Sequence, residues 1–260
     1  MLDSIKTVET GTREEILEHL SKNEFFEHDS DNNTLLHYAC LAGNLSAVKV
    51  LIEAGFYVNA NNVDGHTPIC DAAANGSVEI IKALIMGGAN VNPPAYWGSP
   101  LMYAVKNGHY GAITTLVDAG ADVNACDRQG FCPIHVTVRN RFYEAVEYLL
   151  MAGADPNKCC KLTTALHIAA ELRDLKLVHL LLIHGANASL VNSHGHRPID
   201  LVEKDTTLYH LLNTFTGWVP SLKFLSRLAI KRQIPFMIPF YKSRLDLPIC
   251  LCEYLTFSDY

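Results

Sequence analysis

Ser99-Pro100-Leu101-Met102 opens, and Gly120-Ala121-Asp122-Val123-Asn124 closes, one unit of a pattern that runs through most of this chain. The opening recurs as Thr34-Leu35-Leu36-His37, Thr67-Pro68-Ile69-Cys70, Cys132-Pro133-Ile134-His135, Thr164-Ala165-Leu166-His167 and Arg197-Pro198-Ile199-Asp200. The six starts are spaced by 33, 32, 33, 32 and 33 residues, a period that marks a stack of repeats rather than one globular core. The closing turn recurs as Gly88-Ala89-Asn90-Val91-Asn92 and Gly153-Ala154-Asp155-Pro156-Asn157.

Each position in the unit has a physical task. Thr or Ser caps a helix by accepting from an unpaired N–H of its first turn. Proline follows where its missing N–H costs nothing. Small residues (Ala39, Ala72-Ala73, Ala104, Ala169-Ala170) let neighbouring first helices approach closely. Gly43, Gly76 and Gly108 end the first helix in a left-handed conformation. A second helix follows, with leucine-rich periodicity as in Val48, Leu51, Ile52 and Val146, Leu149, Leu150. Arg141 and Arg173 stand where two of these glycines are expected. Either they accept the strained conformation, at about 1–2 kcal/mol, or those helices end differently. The pattern closely resembles the ankyrin family over roughly 180 residues. That resemblance implies an all-α solenoid of helix–turn–helix repeats joined by β-hairpin loops, with a protein-binding role.

The ends differ from the middle. Arg13 to Leu20 reads as an amphipathic helix, the second helix of a degenerate first repeat within an N-terminal cap of residues 1–32. The sixth copy lacks an outgoing Gly-Ala-Asp turn and so closes the array of residues 33–216. The period stops after Thr216. In residues 217–260, Leu222, Leu225, Ser226, Ala229 and Ile230 form one helical stripe, capped by Ser221 and ending on Lys231-Arg232. Phe224 and Leu228 give that helix a second apolar face. A helix that only capped the stack needs one apolar face.

The tail resembles a SOCS box. The elongin-binding pattern of that box matches at Ser221, Leu222, Leu225, Arg227 and Ile230, with Ser226 where cysteine is usual. Its cullin-binding Leu-Pro-x-Pro element, followed by Tyr-Leu, is similar to Leu247-Pro248-Ile249-Cys250 and Tyr254-Leu255, with Cys250 in place of the second proline. Repeats followed by such a box characterise the ankyrin repeat and SOCS box family. The resemblance implies a substrate receptor that binds elongin C and elongin B through residues 221–230, with Ala229 on the same stripe. Leu247, Pro248, Ile249, Tyr254 and Leu255 would then recruit cullin-5 with its RING protein. The alternative from the same residues is an ankyrin scaffold or adaptor outside any ligase, with a C-terminal capping helix.

Composition bounds the remaining classes. A net charge of −6 gives no reason to expect nucleic acid as the partner, and charge divides unevenly, −9 over residues 1–216 and +3 beyond. No apolar run approaches a membrane span, and the start of the chain lacks the apolar stretch of a secretory signal. The eight cysteines read as reduced thiols of a cytoplasmic or nuclear protein. Neither Cys159-Cys160 nor Cys250 with Cys252 has zinc-site spacing, and His37, His135 and His167 sit at the repeat's own histidine position. No phosphate loop, nucleophile elbow or His-Glu-x-x-His occurs, so neither a cofactor nor enzymatic chemistry is expected.

The partner is therefore a protein, held on the exposed face of the first helices and on the loop tips. Register assigns Tyr38, Leu41, Asp71, Tyr103, Lys106, Val136, Arg139, Ile168 and Glu171 to that face. Tyr96 and Trp97 stand out at a tip otherwise built of small residues and prolines, and aromatic anchors are typical of binding hot spots. Folding back of Trp97 onto a neighbouring repeat accounts for it equally well.

Overall fold

The structure is a computed structural model and describes residues 2–22, 28–94 and 98–216. It forms an all-helical repeat solenoid whose contacts divide into two compact units, with the boundary after Pro133. In the first unit, α1 (Leu2–Thr10) and α2 (Arg13–Ser21) form an N-terminal pair. Three repeat pairs follow: α3 (Leu35–Ala42) with α4 (Leu45–Glu53), α5 (Pro68–Ala74) with α6 (Val78–Met86), and α7 (Pro100–Lys106) with α8 (Tyr110–Asp118). First helices pack in the order α1, α3, α5, α7 and second helices in the order α2, α4, α6, α8. The sequence signalled only α2 of the N-terminal pair. α1 completes it, and Asn44 at the start of α4 donates through Nδ2 to the carbonyls of Val8 and Gly11, both at 3.1 Å.

Apolar periodicity buries one stripe of each helix. Leu36, Leu51, Ile69, Leu84, Leu101 and Leu116 are completely enclosed, each worth about 1.5–3 kcal/mol relative to exposure. What makes the pairs a stack is the fate of their unpaired backbone groups. His37 Nδ1 accepts from the Thr34 N–H (3.0 Å) and hydroxyl (2.9 Å), while Nε2–H donates to the His66 carbonyl of the next loop. These partners dictate a neutral ring protonated on Nε2, in keeping with burial pushing the His37 pKa down. Asparagines make a second set of bridges. Asn92 Nδ2 donates to the Gly120 carbonyl (2.9 Å) and its Oδ1 accepts from the Asp122 N–H (2.8 Å). Asn59 bridges to Gly88 and Asn90 in the same way. Gly76 is required twice over: its φ is +70°, and a Cβ there would lie 2.5 Å from the His109 ring.

The second unit contains α9 (Pro133–Arg139) with α10 (Tyr143–Met151), then α11 (Ala165–Glu171) with α12 (Leu175–Ile183). A short antiparallel pair, β1 (Cys159–Cys160) and β2 (Thr163–Thr164), joins them. Other described tips are tight turns closed by a backbone bond, as from the Asn62 N–H to the His66 carbonyl and from the Asn192 N–H to the His196 carbonyl. His167 repeats the His37 arrangement, with Thr164 on Nδ1 and the His196 carbonyl on Nε2. Asn157 bridges to Gly185 and Asn187. The sixth copy forms only a 3-10 turn, Pro198–Leu201, followed by α13 (Thr207–Phe215), which packs on α12 through Leu208 and Leu212.

Arg141 and Arg173 do adopt the left-handed conformation, with φ of 54° and 53°. Arg141 recovers part of that cost: its Nη2 donates to the Leu172 carbonyl at the end of α11 (2.9 Å), where the helix dipole favours a cation. The cysteines depart from expectation in one pair. Cys126 and Cys132 form a disulfide across a turn, because the Asp127 N–H donates to the Phe131 carbonyl and folds the two Cα atoms to within 4.2 Å. Cys40 and Cys70 remain buried thiols and Cys159 an exposed one.

The carboxamide bridges predict a specific asymmetry. Asn92→Asp keeps the acceptor for Asp122 but sets a carboxylate oxygen against the Gly120 carbonyl. Equilibrium denaturation should show a loss of about 1–2 kcal/mol; unchanged stability would mean the bridge contributes nothing.

Candidate protein-binding surface

Three described loop tips in the first unit are each preformed by one side chain. Asp29 Oδ1 accepts from the Asp31 and Asn33 N–H groups, Asn62 Oδ1 from those of Asp64 and His66, and Asp127 Oδ1 from those of Gln129 and Phe131. The tips in turn hold side chains of the first helices. Tyr38 O–H donates to Asp29 Oδ2 at 2.5 Å, and Tyr103 O–H donates to His66 Nε2 at 2.6 Å with the rings edge to face. Lys106 Nζ lies 3.1 Å from Asp127 Oδ2. Tyr38, Tyr103 and Lys106 are therefore placed on the first-helix face as register indicates, but already ordered by partners that register could not name. Asp29, His66 and Asp127 are those partners. Their signal in the sequence is an Asp or Asn (Asp29, Asn62, Asp127) five residues ahead of the next repeat start, which reads only as a turn; His66, in the loop that Asn62 orders, carries no signal of its own.

Electrostatics follow from these contacts. The Asp29 hydrogen bond and burial push the Tyr38 phenol up to about 12. Burial, with the charges of Asp71 and others, does the same for Tyr103. Burial also lowers the His66 pKa, keeping its Nε2 an acceptor for the Tyr103 hydroxyl.

Asp71 and Ile168 correct the register reading. Register assigns both to the exposed face, yet they retain only 7% and 5% of their surface, because the small residues around them draw neighbouring helices close. Asp71 Oδ2 has no hydrogen-bond partner, and burial raises the carboxyl to about 7. Cys40 and Cys70, whose thiols are themselves pushed up by burial, feel its charge. Asp71 occupies the same position of its repeat as Tyr38 and Tyr103, four residues after Thr67, Thr34 and Ser99 respectively.

In the same unit Leu41 is 50% exposed. In the second unit Arg139 and Glu171 are exposed and Val136 is half-buried. Tyr96 and Trp97 lie outside the described residues. So do Ser221, Leu222, Leu225, Ser226, Arg227, Ala229 and Ile230, and Leu247, Pro248, Ile249, Tyr254 and Leu255. Charge is concentrated in the first unit: residues 1–133 carry sixteen Asp and Glu against seven Lys and Arg, whereas residues 134–216 carry eight of each. Among the described residues no helix is long and apolar enough to cross a membrane.

Asp71 sets a pH dependence whose sign is fixed. Unfolded, its carboxyl loses the proton near 3.8; folded, it keeps it to about 7. The native state binds the extra proton between those values, so stability falls as pH rises from about 4 to about 7. Asp71→Asn lacks this dependence. Its melting temperature relative to the parent chain should climb between pH 5 and pH 8, by the equivalent of a few kcal/mol at the upper end, since each tenfold change in proton affinity is worth about 1.4 kcal/mol. A constant difference across that range would show that Asp71 titrates normally.

A sequence profile described as ankyrin repeats in three copies matches residues 6–95 and 101–192. The chain is 34% identical over 167 residues to mouse ankyrin repeat and SOCS box protein 9, an alignment covering 64% of this chain and 46% of that one. It thus spans less than half the length of that relative. Among solved structures, it is similar to the ankyrin repeat domain of human ASB11, with a TM-score of 0.71 and 26% identity over 84% of this chain and 99% of that one. The ankyrin repeat domain of Bcl-3, of the IkappaB protein family, gives 0.73 and 25% over 81% and 97%. With the paired helices, the Thr–His caps and the bridging asparagines in place, the chain belongs to the ankyrin-repeat family, whose fold binds other proteins and carries no catalytic centre of its own.

Proposed function

We propose that the chain is the substrate-recognition subunit of a cullin–RING ubiquitin ligase. On this reading residues 1–32 cap the array, residues 33–216 hold the protein to be modified, and residues 217–260 are a SOCS box. The box binds elongins B and C through Ser221–Ile230 and cullin-5 through Leu247–Leu255. The observation that carries the proposal is the order of parts: an ankyrin array followed by Ser221-Leu222, Leu225, Arg227 and Ile230, then Leu247-Pro248 and Tyr254-Leu255. The mouse relative's name joins the same two parts. The packing of α13 on α12 supports it further, because the last repeat has a terminal helix without calling on residues 222–230. The chain then performs no bond chemistry; it raises the effective concentration of a substrate lysine near a charged conjugating enzyme. Substrate contacts fall on Tyr38, Tyr103, Lys106 and Arg139, with Tyr96 and Trp97 at the preceding tip.

Co-expression with elongins B and C, followed by size-exclusion chromatography, tests the assignment. The parent chain should elute as a stoichiometric complex, and Leu222→Ala should weaken it by about 2–4 kcal/mol, as truncation of a buried anchor does. A parent chain that elutes without elongins leaves the scaffold reading instead. Calorimetric titration of the ternary complex with cullin N-terminal domains should show preference for cullin-5 over cullin-2; equal affinity would remove the assigned role of Leu247 and Pro248.

A further inference from the structure

We propose that the row Tyr38, Asp71, Tyr103 on the first helices of residues 1–133 is the docking site for a basic side chain, arginine or lysine, of the protein the repeats bind. This rests on the reading of the repeats as a protein-binding array and names the chemistry their partner must bring. Three independent observations converge on it. First, Asp71 Oδ2 is, among the described residues, the one buried side-chain polar atom without a hydrogen-bond partner. Such atoms are rare in native structures, because a buried polar atom left unsatisfied forfeits its hydration without replacement. A guanidinium or ammonium is a pure donor, and an under-bonded carboxyl is the acceptor it fits. Oδ2 itself is enclosed, so a cation meets the carboxyl at the 7% of the residue that stays open and acts on the charge its two oxygens share.

Second, the repeat period places a tyrosine on each side of Asp71, on the adjoining helices α3 and α7. Both rings are half-buried and fixed by their hydroxyls, to Asp29 and to His66. A ring face attracts a cation within about 6 Å of its centroid, and a ring already ordered adds little entropy cost on binding. A carboxyl between two aromatics suits a cation with an apolar stem and repels an anion. Third, the formal charge of −9 on residues 1–133 steers basic partners to this unit, not to the neutral residues 134–216. A cation also draws the Asp71 carboxyl into its ionised form. Binding therefore releases a proton and tightens as pH rises through about 7.

The test selects displayed random twelve-residue peptides on the immobilised full chain, then titrates synthetic copies of the enriched sequences. Enriched peptides should share an arginine or lysine at a fixed place. Their affinity should fall at least tenfold on Asp71→Asn or Tyr103→Leu, survive Asp71→Glu in part, and rise between pH 6 and pH 8 only where residue 71 is acidic. Thermal melts establish that each variant is folded. Peptides that lack a basic residue, or that bind Asp71→Asn as well as the parent, overturn the site. If those same peptides are lost on Leu41→Arg, the repeats remain a binding array and only the inference falls. Failure to enrich any peptide counts against the array itself and takes the inference with it.

Discussion

A helix pair of this size cannot satisfy its own ends. Each short helix leaves four N–H groups and four carbonyls unpaired, and here the helices are only seven to nine residues long, so a large share of the backbone is at stake. Within each unit a side chain of one repeat reaches the backbone of the next. Asn59, Asn92 and Asn157 carry both a donor and an acceptor across with a carboxamide, whereas His37 and His167 accept from the threonine of their own repeat through Nδ1 and donate to the next loop through Nε2. No carboxylate or ammonium could replace either, since each lacks one of the two roles. The bridges also set the register in which leucine stripes meet, so the apolar core depends on them.

Once backbone positions are fixed by the period, other side chains on the first helices are released from structural duty. At the fourth position after each start the first unit carries Tyr, Asp and Tyr, and the second Val, Ile and Leu. That variation costs the fold little when the residue is apolar or has a partner, as Tyr38 and Tyr103 do. Asp71 is the exception, a carboxyl enclosed without a hydrogen bond to its inner oxygen. A stack that spends stability at a position its own period leaves free is holding that group for something outside itself.

Departures from the consensus are absorbed in different ways. Arg141 takes a glycine's left-handed backbone and offsets it by gripping the end of α11 and approaching Asp174. Asp174 is simultaneously the cap of α12 and the acceptor for Tyr143. Burial alone would raise its pKa, but the Tyr143 and backbone hydrogen bonds outweigh that and lower it. Arg197 and Asp200 replace the Thr–His pair with an ion pair in the final copy. That copy then shrinks to a 3-10 turn before α13 closes the unit.

The sequence by itself determined the repeat, its period, the helix starts and the glycine ends. These are local rules, of capping hydroxyls, N-terminal prolines and left-handed glycines, and they act within a few residues. It also determined the order of array and tail on which the functional proposal depends. It did not by itself disclose α1, which packs on α3, nor the pairing of Cys126 with Cys132, which a turn brings together. It assigned Asp71 and Ile168 to the surface because register gives direction but not depth. Depth was decided by how closely the alanine-lined first helices approach, a property of neighbouring repeats thirty-odd residues away. For the same reason only the tertiary structure could show Tyr38 held by Asp29 and Tyr103 by His66: the first partner is nine residues distant and the second thirty-seven.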